Sequence, residues 1–315
     1  MKTITVPSSP HIGGRRITAS LMRDVVIALI PTTLAGLWFQ GIRAFWVLFL
    51  SIGAALVTEQ ICTKGKTNGS ALVTGVLLGL SLPSSVSWWI PVVGSVVSVF
   101  GVKHLCGGLG RNVFNPVLVA RAFLLLVFPL QLTRFGIPGM DGLTSSTPLH
   151  AFQVPTLPDV GLGTLLWGNV SGCIGETSKL AVLLGGLYLI DRKVIRPEIP
   201  MAYLGSFVLL SLIFSQGQPP LLWMGYQLLT GSVLLSAFFL ATDYTSSPAT
   251  PGGRIVYGVA CGALTVLFRR FGLFPEGSTY AILCMNPFVW ALDQGLAPRV
   301  FGHSKGREKG GHRER

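Results

Sequence analysis

Charge is scarce in this chain. Only 11% of its 315 residues are charged, with 12 Asp+Glu against 24 Lys+Arg, while 50% are hydrophobic. A soluble domain carries about a quarter charged residues, and so few ionic groups could not cover a globule of this length. An ordinary cytosolic enzyme is therefore excluded. Cysteine is sparse and scattered: Cys62, Cys106, Cys173, Cys261 and Cys284 form no CxxC pair. That excludes a self-contained iron–sulfur cluster or structural zinc site and leaves packing residues or free thiols. His11, His104, His150, His303 and His312 have no metal-ligand spacing, so no metal is expected. Gly107-Gly108-Leu109-Gly110 lacks the spacing and strand–helix context of a dinucleotide fingerprint. The N-terminus shows no cleavable signal pattern, because the first apolar stretch starts only near Val25 and many follow. No three-residue period accompanies the 39 Gly and 20 Pro, so collagen is excluded. Closely packed membrane helices use Gly in this way.

What the chain has is long uncharged runs. A bilayer core asks for about 20 apolar residues per helix. Val25 to Ile42 and Ala44 to Thr58 give two spans. Thr67 to Val102 is too long for one span and breaks at Leu82-Pro83-Ser84-Ser85, giving two more. Val113 to Leu130 makes a fifth, with Arg121 inside it. A Pro/Gly/Ser/Thr-rich region, about 131–178, follows. Lys179 to Ile190 is a short sixth span, and Ile199 to Thr242, broken at Ser215 to Pro220, gives the seventh and eighth. Ile255 to Phe268 and Ser278 to Leu296 complete ten. The expected fold is an all-α polytopic membrane protein, one domain over 1–304, with a basic, disordered tail at 305–315.

Loop charge orients it. With the N-terminus cytoplasmic, 18 of the 24 cations fall inside, five outside (Arg43, Arg134, Lys179, Arg269, Arg270), and Arg121 lies in the membrane. Both termini are then cytoplasmic and region 131–178 faces outward. The basic charge suits short loops and anionic lipid headgroups rather than nucleic acid. An odd number of spans in each half makes the halves inverted if they are repeats. Thr74-Gly75 against Thr230-Gly231, and Asn115-Pro116 against Asn286-Pro287, are the matching pairs, although such turns also recur by chance.

The outward region contains Asp141-Gly142-Leu143-Thr144-Ser145-Ser146-Thr147-Pro148-Leu149. Four hydroxyls before a Pro make an exposed extended or turn segment. A Thr hydroxyl near an acidic residue is also suited to accepting a phosphoryl group.

At these residues the chain resembles the membrane-protein family that includes the D subunit of the Rnf ferredoxin:NAD oxidoreductase and the B subunit of the sodium-pumping NADH:quinone reductase. The likeness runs over essentially the whole chain. It is carried by Ser8-Ser9-Pro10-His11, the run Lys103 to Pro116, Asp141 to Leu149, and Gly172-Cys173-Ile174-Gly175-Glu176-Thr177-Ser178. Ala241-Thr242-Asp243, Gly253 to Gly258 and Pro298-Arg299-Val300-Phe301-Gly302 extend it. The resemblance implies FMN joined by a phosphoester to Thr147 by a flavin transferase, with Asp141, Gly142, Thr144, Ser145 and Ser146 as its recognition segment. Ser146 stands where the family has Ala, so a small residue is kept. It also implies a non-covalent riboflavin, the A, B, C, E and G subunits of an Rnf complex as partners, an inner-membrane location, and redox-driven sodium or proton translocation. The protein would be a subunit and not catalytic alone.

Other residues bear on that chemistry. An intramembrane Arg121 costs several kcal/mol unless paired or wet, so it is read as holding a flavin edge or an acidic partner, or as snorkelling. Asp243, beside the helix-breaking Pro248, Pro251 and Gly252-Gly253, is read as an ion or flavin contact or as a loop cap. Asn115 and Asn286 are read as starts of half-helices aimed at the centre. Glu59 and Asp293 are read as orienting charges. The alternatives are the quinone-reductase relative, which carries a longer extension before its first span than the roughly two dozen residues here, and a transporter with no redox role.

Overall fold

The computed structural model describes residues 18–63, 69–105, 112–137, 140–145, 157–158, 160–215, 217–272 and 276–296. The tail 305–315 lies outside them.

Helix α1 runs Thr18–Thr63 but is broken at Gly41, whose φ of 65° and ψ of −155° lie in a region essentially open only to glycine. Met22 packs against Gly69, and Glu59 accepts a hydrogen bond from Ser70. A straight helix would hold Met22 and Glu59 about 55 Å apart. α1 is therefore a hairpin that reverses at Gly41, one residue before the expected end of the first span. Gly41→Ala is expected to destabilise the protein by about 1–3 kcal/mol in detergent unfolding experiments, because alanine carries a Cβ into that conformation.

The helices that follow are α2 (Ser70–Ser81), α3 (Trp89–Val96) continued by a π-helical stretch to His104, α4 (Pro116–Val127) and α5 (Pro129–Leu132). Beyond the central region come α6 (Leu162–Trp167), α7 (Lys179–Asp191), α8 (Glu198–Ile213), α9 (Pro220–Leu229), and α10 (Val233–Leu235), whose π-helical continuation ends at Leu240. The last are α11 (Pro251–Phe271), α12 (Gly277–Met285) and α13 (Val289–Gly295), the last two joined by a 3-10 turn at Asn286–Phe288.

The fold is mostly helical and apolar, but not purely α. Strands β1 (Phe135–Ile137) and β2 (Met140–Ser145) form an antiparallel hairpin in the region read as loop, pairing Phe135 with Ser145 and Gly136 with Thr144. Ala19–Thr63 and Pro251–Phe271 are long and apolar enough to cross a membrane. Pro220–Leu229 with Val233–Leu240, bent by 66°, makes a third, broken candidate. Several other apolar helices are shorter; α2 and α4, at 12 residues each, reach about 18 Å against a hydrocarbon core of about 30 Å. The eighth expected span is thus two pieces, broken at Thr230-Gly231-Ser232. Thr74-Gly75 lies within α2 whereas Thr230-Gly231 forms that break, so this pair does not share a local structure.

Large side chains such as Tyr203, Phe207, Trp223 and Tyr257 are fully buried. Trp38, Trp46, Leu126, Met201 and Leu209 face outward, as expected of a surface in lipid. Close approach depends on glycine: a Cβ on Gly185 would lie 2.2 Å from Ala28 O, and one on Gly262 2.3 Å from Tyr203 O.

Candidate functional site

Two polar regions lie at opposite ends of the packed helices. At one end, Asn115 caps α4. Its Oδ1 accepts from the N–H groups of Val117 (3.0 Å) and Leu118 (3.4 Å), and Pro116 occupies the first helical position. Its Nδ2 donates to Leu240 O at 3.0 Å. Asn286 is buried beside it. In the amide orientation that satisfies both side-chain atoms, Asn286 accepts from the Asn115 N–H at 2.9 Å and donates to Ile282 O and Tyr257 Oη at 3.0 Å each. The two Asn-Pro motifs therefore touch. Asn115 starts a helix, while Asn286 opens a turn inside a bent one.

A cavity of about 260 Å³ opens next to this contact. Asn112, Asn115, Lys103, Asp243, Thr74 and Tyr244 give its wall polar groups, and Leu21, Val73, Leu77, Val117 and Phe239 give apolar surface. Asp243 accepts from Thr245 Oγ1 (2.8 Å) and Ser246 Oγ (3.0 Å), so it organises its own loop while lining the cavity. Lys103 is buried and donates to Glu59 and Ser70. Glu59 is thus a buried ion-pair partner rather than an end-of-helix charge. Asp293 does cap: it accepts from the N–H groups of Ala249 and Thr250.

At the other end stands the β1–β2 hairpin. Asp141, Gly142, Thr144 and Ser145 lie on β2; Ser146 and Thr147 lie outside the described residues. The hairpin base rests on the break after α2: Ser85 Oγ donates to Arg134 O (2.5 Å), and the Ser87 N–H donates to Gln131 Oε1 (3.4 Å). The Ile174 N–H donates to Leu82 O at 3.0 Å, which brings the Gly172–Ser178 motif to the same break.

Arg121, midway along α4, reaches the same motif through Cys173. It is 3% exposed and does not snorkel. It donates to Glu276 and to Cys173 Sγ (3.3 Å) and stands 3.7 Å from Glu176. Lys179 donates to the carbonyls of Glu176 and Gly231, both at 2.7 Å. Arg269 donates to the carbonyls of Gln227 (2.6 Å) and Thr230 (2.9 Å). These two cations neutralise the carbonyl end of the broken α9. Both stand among the charges expected outside, and both serve the fold. Arg121 and the Asn115–Asp243 cavity are separate sites. Cys62, Cys173, Cys261 and Cys284 are free thiols.

The NQR2, RnfD, RnfE family matches residues 5–302 of the sequence. The chain belongs to this family. Members similar to it include the D subunit of the Na(+)-translocating ferredoxin:NAD(+) oxidoreductase complex of Acetobacterium woodii, 42% identical over 96% of both chains. The D subunit of the proton-translocating ferredoxin:NAD(+) oxidoreductase complex of Clostridium ljungdahlii is 35% identical over 95% of this chain and 96% of its own. The D subunit of the ion-translocating oxidoreductase complex of Halorhodospira halophila is 34% identical over 95% of each. In this family member the roles of Glu276, Lys103 and Arg269 are not evident from the sequence. A lone acid just before the last apolar run, in a chain with a lone Arg inside another, is the available signal for Glu276.

Proposed function

We propose that the protein is the D-type membrane subunit of an Rnf ion-translocating ferredoxin:NAD oxidoreductase complex. It carries FMN as a phosphoester on Thr147 and works with the complex's A, B, C, E and G subunits after modification by a flavin transferase. The observation that carries this reading is the segment Asp141 to Thr147 in a chain that matches Rnf D subunits over nearly its whole length. β2 holds the start of the segment extended, and an extended backbone suits an enzyme that must reach a hydroxyl. When bound, the flavin supplies the electron chemistry. The chain's own residues position it: the Ser85 and Ser87 contacts fasten the hairpin base to the helices.

The cavity at the opposite end suits a second, non-covalent flavin, riboflavin. Apolar walls accept a flat ring system, Lys103 and Asn115 each keep one donor beyond their described hydrogen bonds, and Thr74 Oγ1 and Asn112 Oδ1 can accept from its polar edge. Ten spans in two inverted halves of an inner-membrane protein, with Thr147 on the outer face, complete the reading. Its support is the loop-charge bias together with contacts that group Met22, Glu59, Ser70 and Lys103 at one end and Gln40, Pro83 and Gly172 at the other.

Acid precipitation of the chain purified after co-expression with a flavin transferase tests both flavins. FMN is expected to stay with the pellet and riboflavin to enter the supernatant. Asn115→Leu is expected to weaken riboflavin binding about tenfold, for the loss of a buried hydrogen-bonding group worth about 1–2 kcal/mol, and to leave the covalent FMN in the pellet. A colourless pellet from the wild-type chain contradicts the covalent assignment. For orientation, a cysteine replacing Ser145 is expected to react with an impermeant thiol reagent in intact cells; reaction only after lysis contradicts an outer location.

A further inference from the structure

The cluster around Arg121 contains more than a structural ion pair. Glu176 and Glu276 approach each other closely: their oxygens and Cys173 Sγ lie within 4.8 Å of one another. Glu176 is 5% exposed overall, and the Glu276 side chain is 11% exposed. Among the described residues, the cation that meets the carboxylates is Arg121, through a hydrogen bond to Glu276 and a 3.7 Å approach to Glu176. The described hydrogen bonds of Lys179 run to backbone carbonyls, and those of Arg269 run to carbonyls and Gln227 Oε1. Glu176 Oε1 and Glu276 Oε1 are buried without a hydrogen-bond partner among the described residues, as are Arg121 Nε and Nη1 and Arg269 Nε. Burial of unpaired carboxylate oxygens is costly.

We infer that Glu176 and Glu276 together form a proton-binding site facing the hairpin end of the molecule. One H⁺ adds to one carboxylate oxygen, forming a single O–H bond, and the resulting acid donates to the other carboxylate. The proton supplies the donor that both oxygens lack. A metal ion fits less well, although Cys173 adds a third potential ligand. Arg121 already occupies Cys173 Sγ and Glu276, and Lys179 and Arg269 bring two more positive charges close by. A proton is absorbed into a neutral carboxylic acid. Burial first, and then the neighbouring Glu176 charge, hold the Glu276 carboxyl above the ordinary carboxylate range in spite of Arg121. Cys173 and Tyr280 are the other titratable groups facing the pair. Burial raises the Cys173 thiol, which stays neutral while the carboxyl titrates. The site does not depend on a flavin at Thr147.

Infrared titration of the purified full-length chain, in H₂O and D₂O, tests it. Wild type is expected to show the C=O stretch of one protonated carboxylic acid per chain. The band should shift in D₂O and be lost on alkalinisation at a pH above that of ordinary carboxylates. Glu176→Gln and Glu276→Gln are each expected to remove it. Absence of the band in wild type overturns the assignment, as does its persistence in both variants. If the Gln variants do not fold, Glu276→Asp keeps a carboxyl and must shift the titration midpoint; an unchanged midpoint overturns the site.

Discussion

Thr147→Val is expected to leave the denatured chain dark in a gel where the wild-type band fluoresces, a complete loss of signal. Valine keeps the branched shape of threonine but has no hydroxyl to esterify. Ser146→Ala is expected to keep full fluorescence, because alanine is as small as serine and leaves the Thr147 hydroxyl in place. The same experiment separates the readings that share this scaffold. A transporter without redox chemistry has no use for a modified threonine, so its band would be dark in wild type and variant alike. A chain that had lost flavinylation through Ser146 would be dark as wild type and bright as Ser146→Ala.

Arg121→Leu is expected to destabilise the folded protein by about 3–5 kcal/mol, the cost of removing one partner of a buried ion pair. Its guanidinium bonds Glu276 and Cys173 and stands beside Glu176, so leucine leaves the buried carboxyl pair without its neighbouring cation. Adding Glu276→Gln to Arg121→Leu should recover part of that loss, because it removes the buried carboxyl that has lost its Arg121 hydrogen bond. Thermal unfolding in detergent reads both effects. Additive losses in the double variant would show that Arg121 and Glu276 are not energetically coupled. Turnover of the assembled complex with Arg121→Leu is expected to fall while in-gel fluorescence stays, if the transferase needs only the segment Asp141 to Thr147.

Much of the helical framework is written in hydrophobicity. Charge-free runs and their Pro/Gly interruptions mark the break at Leu82 to Ser85, the start of α7 at Lys179 and the gap between α8 and α9. The expected boundary near Ile42 falls one residue from the reversal at Gly41. The break at Thr230 to Ser232 carries no charge and no proline, so hydropathy alone runs across it. The β hairpin escapes such a reading because its strands are short and contain glycine, and period-two alternation cannot develop over three residues. Long-range pairs are equally hidden. Glu59 and Lys103 are 44 positions apart, and Arg121 and Glu276 are 155 apart. Each acid lies near a helix end, where an orienting charge is the ordinary reading; packing of α1 against the continuation of α3 reveals Lys103 as the partner of Glu59, and packing of α4 against the start of α12 reveals Arg121 as that of Glu276. Asn115 and Asn286 stand out in the sequence as matching motifs, and their direct contact emerges only from the fold.

Mass spectrometry of the peptide spanning Asp141 to Leu149, from chain matured beside its transferase, is the most direct measurement. The account predicts that peptide heavier by FMN less one water, with fragmentation placing the addition on Thr147. An unmodified peptide, or an addition confined to Thr144, Ser145 or Ser146, would contradict it.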